Sequence, residues 1–237
     1  VADRLPVVAG GVAPTGTIPR IFHQIWINER QPELPDVFRR YRDRWLELHP
    51  GWEYRLWNRE NLDFTPRRPE LIAQCRHYAQ MADVLRLEVL YQHGGVYLDT
   101  DFEPLRPIDS LLQGAGHFFC SEDGAHVSNA IIGARPASPL ISRLLDALPE
   151  RLGVLPINLE TGPLFVTRQL LGEGFDGDVR FVPGRLFYPY GWDEPHRAGE
   201  SFPHALAVHR WAGSWAQSVG VIERLRRALA RVRGGAR

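Results

Sequence analysis

From residue 18 onward, the hydrophobic positions fall into short blocks that switch between the period of a strand and the period of a helix. Ile21, Phe22, Ile25, Trp26 and Ile27 crowd into Ile18–Ile27, which predicts a buried strand. Val37, Phe38, Tyr41, Trp45 and Leu48 then recur at steps of three and four within Leu34–His49, a helix closed by Pro50-Gly51. Trp52–Trp57 alternates as a strand does. Leu71–His93 reads as a long helix broken near His77 and stopped by Gly94-Gly95, since glycine tolerates the positive φ that ends a helix. Val96-Tyr97-Leu98 follows at once as a short buried strand. Phe118–Cys120 and Asn129–Ala134 predict two more strands, Ser138–Leu152 and Thr161–Leu171 two helices with Ser or Thr caps, and Leu206–His209 a last strand. Phe175–Ser201, dense in glycine, proline and aromatics, predicts an irregular rim or lid.

Strands alternating with helices define an α/β fold, with a Rossmann-like core and a mostly parallel sheet. Ligands in such folds gather at the carboxyl ends of the strands. Val1–Thr17 lacks a sustained period and reads as a flexible arm, so one domain is expected over residues 18–237. Its end carries an Arg-rich amphipathic helix at about residues 217–233, with Ile222, Leu225, Leu229 and Val232 on one side. That helix either packs on the domain or touches anionic lipid as a peripheral membrane contact.

Composition narrows the function by exclusion. Basic and acidic residues balance at 28 each, and every basic one is Arg, so a general polyanion binder is disfavoured and nucleic acid is not an expected partner. Cys75 and Cys120 have no metal spacing and read as buried thiols. No apolar run approaches the roughly 20 residues of a membrane helix. A cytoplasmic location is expected, membrane-associated through the C-terminal helix or lumenal if an N-terminal anchor has been removed.

The chemistry centres on Asp99-Thr100-Asp101, directly after the Val96-Tyr97-Leu98 strand. Two carboxylates one residue apart at a strand end suit a hard divalent cation and, through it, a phosphate group, although such triplets also occur as solvated turns. His209, at the end of the last strand, offers an imidazole nitrogen to the same ion. Asp83 and Arg86 lie three apart and share a helical face, either as an ion pair or aimed together at a ligand. Trp26 and Tyr97 are core aromatics or ligand contacts, and Asn129 caps a turn or faces the site.

The stretch Met81-Ala82-Asp83-Val84-Leu85-Arg86 through Tyr91-Gln92-His93-Gly94-Gly95-Val96-Tyr97-Leu98-Asp99-Thr100-Asp101 resembles the sugar-binding region of glycosyltransferases with the D-x-D motif, family 32. The resemblance extends to Ile18–Trp26, Ser128–Gly133, Thr161-Gly162-Pro163 and Ala207–Trp215. It implies a GT-A fold and transfer of a hexose-type sugar, with retention, from a UDP- or GDP-sugar to a glycan, lipid or natural-product acceptor, with Mn²⁺ or Mg²⁺ as cofactor. By the same resemblance Asp99 and Asp101, with His209, hold the metal, while Asp83 and Arg86 contact the donor's sugar and phosphate. Trp26 stacks on the base, Tyr97 reaches ribose or phosphate, Asn129 lies near the sugar, and Ser214 and Trp215 close over the donor. A double displacement would need a carboxylate beneath the sugar, for which Glu160 and Asp193 are weak candidates and neither is assigned. The rival readings are a metal-dependent phosphoester hydrolase, which calls for His and Asp at several strand ends, and a non-catalytic nucleotide-sugar-binding module.

Overall fold

The computed structural model describes residues 16–75, 77–122, 124–173 and 179–213. The expected arm, apart from its last two residues, and the C-terminal helix lie outside these, as do Ser214 and Trp215. The strands are β1 (Ile21–Ile25), β2 (Glu53–Trp57), β3 (Gly95–Leu98), β4 (Phe102–Pro104), β5 (His117–Ser121), β6 (Val127–Ala134), β7 (Val179–Val182) and β8 (Ala207–His209). The helices are α1 (Asp36–Leu48), α2 (Pro69–Gln74), α3 (Tyr78–His93), α4 (Asp109–Leu112), α5 (Pro139–Asp146), α6 (Ile157–Glu160) and α7 (Pro163–Glu173).

Six strands form one sheet in the order β2-β1-β3-β6-β5-β7, and β4 pairs with β8 in a separate ribbon. β1 runs parallel to β2 and β3, and β5 parallel to β7, while β6 is antiparallel to both its neighbours. The sheet is therefore mostly parallel, with β6 reversed. Alternation along the strands sends successive side chains to opposite faces. Tyr97, Phe119 and Ile132 enter a core shared with α3, α5 and α7, whereas Val96, Phe118 and Ile131 enter a second core shared with Trp45 of α1, Leu111 and Leu112 of α4, and Phe102 of β4. Both faces are covered, which is why the central strands read as almost unbroken apolar runs.

Local chemistry explains the element ends. The chain breaks between α2 and α3 at the expected place, with His77 extended just before α3. Gly94 ends α3 at φ +64°, and Gly95 follows at φ +94°. A Cβ on Gly95 would come within 2.7 Å of the Ile21 carbonyl oxygen, so this glycine also lets β3 approach β1. Ser138 caps α5 as expected, accepting the Ile141 N–H at 3.1 Å, but α5 stops at Asp146 instead of reaching Leu152. Four elements depart from expectation: β4, α4, α6, and β7, which gives order to part of the segment expected to be irregular. Cys120 is buried, but Cys75 is only half-buried.

Candidate active site

The site begins where β3 ends. After Leu98 the chain turns through Asp99, Thr100 and Asp101 into β4, and β4 pairs antiparallel with β8 so that Phe102 lies opposite His209. This two-stranded ribbon carries His209 to the aspartates, and ligand-capable atoms of Asp99, Asp101 and His209 all fall within 4.8 Å of one another. His209 Nε2 lies 3.2 Å from Asp101 Oδ1 and 3.9 Å from Asp99 Oδ2. Neither buried ring nitrogen has an aligned hydrogen-bond partner among the described residues. Asp101 also accepts the Ala212 N–H at 2.8 Å. Asp99 keeps 31% of its side chain exposed against 9% for the other two, so the cluster opens through Asp99.

The electrostatics follow from this crowding. Burial alone pushes the His209 pKa down, but the Asp101 and Asp99 carboxylates outweigh it and raise the imidazole to about 10. Burial likewise opposes ionisation of Asp101, yet His209 and the Ala212 N–H hold it below the usual carboxylate range. Two carboxylates facing an imidazole whose buried nitrogens lack aligned partners form a mixed oxygen and nitrogen donor set that fits a divalent cation.

Arg86 sits behind this cluster. Its Nη2 lies 3.0 Å from Asp83 Oδ1 and 3.5 Å from Asp99 Oδ1, and its guanidinium stacks over the Tyr97 ring at 4.5 Å. Nη1 donates to the Asn129 carbonyl and Nε to the Ala82 carbonyl at 3.1 Å. Burial disfavours the charge, but Tyr97, Asp99 and Asp83 hold Arg86 protonated above its ordinary value. Tyr97 donates its hydroxyl to Asp99 Oδ1 at 2.5 Å; burial foremost, then the nearby carboxylate, raises its pKa well above the usual range. The Asp83–Arg86 pair is thus both an ion pair and part of the wall of a cleft of about 430 Å³.

Trp26, Asp83, Arg86, Tyr97, Asp99, Asp101, Asn129 and His209 all line that cleft. Trp26 keeps a structural role as well: its Nε1 donates to the Gln31 carbonyl at 2.9 Å and its ring meets Phe38 edge-on. Glu160 is turned to another task, accepting N–H groups of Gly153, Val154 and Leu155 and the Gln80 amide. It is not among the residues that line the cleft. Trp192, which carried no signal of its own in the sequence, and Trp211, which belongs to the Ala207–Trp215 stretch of the resemblance, also line the cleft. Trp211 holds a left-handed backbone at φ +51°, its Nε1 bonded to the Tyr190 carbonyl at 3.1 Å and its ring edge-on to His209 at 4.3 Å. A bulky residue at such a φ is strained and marks a site held in place by its surroundings. Thr161 was expected to cap a helix, but α7 begins at Pro163 and the Thr161 hydroxyl goes instead to Asp83.

A mostly parallel α/β sheet with paired aspartates at a strand end, an arginine behind them and an open cleft suits a phosphorylated ligand held through a divalent ion. Residues 35–116 match the family model described as the glycosyltransferase sugar-binding region containing the DXD motif. The chain is 33% identical over 133 residues to uncharacterized glycosyltransferase L373 of Acanthamoeba polyphaga mimivirus, covering 52% of each chain. With inositol phosphoceramide mannosyltransferase 2 of Schizosaccharomyces pombe the identity is 32% over 160 residues, covering 63% of this chain and 45% of the relative. The chain thus spans about half the length of the curated relatives it matches. The solved structure titled PaToxG Glycosyltransferase superposes with a TM-score of 0.56 at 20% identity over 68% of this chain and 70% of that one, which supports the GT-A fold.

Proposed function

We propose that the chain is a retaining glycosyltransferase that moves a hexose-type sugar from a UDP- or GDP-sugar to a glycan, lipid or small-molecule acceptor, with Mn²⁺ or Mg²⁺ as cofactor, in a single GT-A domain beginning near residue 18. The reading rests on one observation above all: Asp99, Asp101 and His209 converge at the open side of a cleft that Arg86 also lines. A divalent ion held by these three residues would neutralise the diphosphate as it departs.

The protein's own groups supply the rest. Arg86 is a fixed, buried positive charge whose fork of donors is oriented by Asp83 and the Asn129 carbonyl, so it can meet phosphate without rearranging. Asp83 accepts hydrogen bonds from the donor's sugar. Trp26 and the cleft's other indoles offer flat surfaces for the base, which stacking recognises without identifying. Retention is carried over from the family resemblance. A front-face displacement, in which the departing phosphate oxygen takes the acceptor's proton, needs no carboxylate beneath the sugar, and this agrees with Glu160 being fully engaged elsewhere.

Phosphoester hydrolysis would call for metal-binding side chains at several strand ends, whereas among the described residues one such cluster is found. No helix among these residues is long and apolar enough to cross a membrane, and membrane contact through the C-terminal helix is part of the reading only as a peripheral one. The direct test is sugar release to water from a panel of UDP- and GDP-hexoses with Mn²⁺. Release that stops on chelation supports the reading; phosphate release from simple esters with no sugar release from any donor overturns it.

A further inference from the structure

Asp83 is buried, yet its hydrogen bonding is incomplete in one specific way. Oδ1 accepts the Asn129 side-chain amide at 2.8 Å and faces Arg86 Nη2 at 3.0 Å. Oδ2 accepts the Thr161 hydroxyl at 2.8 Å. An ionised carboxylate offers about four acceptor positions. Three are taken, and the fourth lies on Oδ2, on a side chain that lines the cleft.

Thr161 is unusually well fixed for a residue between two helices. Its hydroxyl has one proton and two acceptors in reach, the Ile157 carbonyl at 3.4 Å and Asp83 at 2.8 Å, and the shorter distance takes it. Its own carbonyl faces the Asn129 amide at 3.4 Å, which closes a triangle of Thr161, Asn129 and Asp83. The preceding residue, Glu160, is buried and anchors the turn through three backbone N–H groups and Gln80. The following residue must be small, since a Cβ on Gly162 would lie 2.8 Å from the Asn158 Cα. The turn is therefore clamped on both sides of Thr161, and two of its residues, Ile157 and Asn158, line the cleft as well.

We propose that Thr161 is a positioning residue for donor-sugar selectivity: by occupying one acceptor position of Asp83 Oδ2 it aims the remaining one at a single hydroxyl of the donor's hexose. The inference rests on the transferase reading above and extends it to which residue sets the choice of sugar. Without the Thr161 hydroxyl, Oδ2 has two open positions while Oδ1 stays held by Asn129 and Arg86, so hydroxyls of different configuration can be accepted. A site built to bond one hydroxyl rejects an analogue that lacks or misplaces it, because a buried polar group is then left unpaired.

The test compares wild type, T161V and T161S in Mn²⁺-dependent hydrolysis of UDP-glucose, UDP-galactose, UDP-N-acetylglucosamine and GDP-mannose, alongside calorimetric binding of UDP and GDP. For T161V, which keeps the side-chain shape, the ratio of kcat/KM between the best and second-best donors should fall about tenfold, carried mainly by KM. Affinity for the sugar-free diphosphate should stay within twofold, and T161S should restore the ratio. If T161V does not fold, T161A carries the same comparison. A wild-type ratio in T161V, or equal loss of sugar selectivity and diphosphate affinity in both T161V and T161S, overturns the proposal while leaving the transferase reading intact. Wild type that hydrolyses none of the four donors and binds neither diphosphate overturns the transferase reading itself, and this proposal with it.

Discussion

His23 and His209 are both buried, and their surroundings have pushed them in opposite directions. His23, inside β1, has both ring nitrogens engaged: Nε2 donates to the Gly94 carbonyl at 2.8 Å and Nδ1 accepts the Trp57 indole N–H at 3.0 Å. Burial, with some repulsion from His93 and Arg55, lowers its pKa to about 3. His209 faces two carboxylates, has no aligned partner among the described residues, and is raised to about 10. The first pins two strands to the end of α3. The second has the donor atoms and neighbours to serve the proposed metal site. Saturated hydrogen bonding around a neutral ring, against unsaturated nitrogens between like charges, separates structure from site more surely than burial does.

The largest effect should come from acid. The unfolded chain protonates His23 near 6.5, whereas the folded state resists until about 3, so the unfolded state binds the extra proton throughout that window. The stability that neutral His23 contributes is complete above about pH 6.5 and is lost progressively down to about pH 3, on the order of 4 to 5 kcal/mol in total at 1.36 kcal/mol per unit. Denaturant titrations from pH 7 to pH 4 should show this slope in wild type and a shallower one in His23→Asn. Parallel curves would mean that His23 is not the group responsible.

On the other side of the comparison, Asp101→Ala should leave folding near normal and reduce kcat/KM by two orders of magnitude or more, about 3 kcal/mol of transition-state stabilisation, by analogy with losing one preorganised electrostatic group. Turnover close to wild type in the folded variant with excess Mn²⁺ would remove the metal assignment. A smaller effect separates the two regions again. In Gly95→Ala the added Cβ meets the Ile21 carbonyl at 2.7 Å and His23 Nε2 at 2.9 Å, at a φ that L-residues avoid. It should destabilise by about 1 to 3 kcal/mol in thermal or denaturant melts. Mn²⁺ affinity should be unchanged, and a loss of that affinity without loss of stability would contradict the division drawn here.

Much of this was legible from residue patterns because much of it is local. The helix stop at Gly94-Gly95, the short strand after it and the aspartates at its tip lie within eight residues, and each follows from backbone sterics or strand-end chemistry. What the sequence concealed is non-local. β4 is three residues long and ends in proline, so only its pairing with β8, over a hundred residues away, defines it as a strand. The reversal of β6 depends on which strands flank it and leaves no trace in its apolar run. Thr161 has the residue type and position of a helix cap, and nothing in its neighbourhood reveals that Asp83, 78 residues earlier, takes its hydroxyl. Glu160, a weak nucleophile candidate on paper, likewise gave no local sign that it accepts the N–H groups of Gly153, Val154 and Leu155.

The most direct measurement is to count Mn²⁺ bound per chain by electron paramagnetic resonance, with UDP or GDP present, in wild type and in Asp101→Asn. The account predicts a single bound ion in wild type and affinity weakened at least about tenfold in the variant, with both proteins equally folded. No bound ion in wild type, or equal binding in the two proteins, would contradict it.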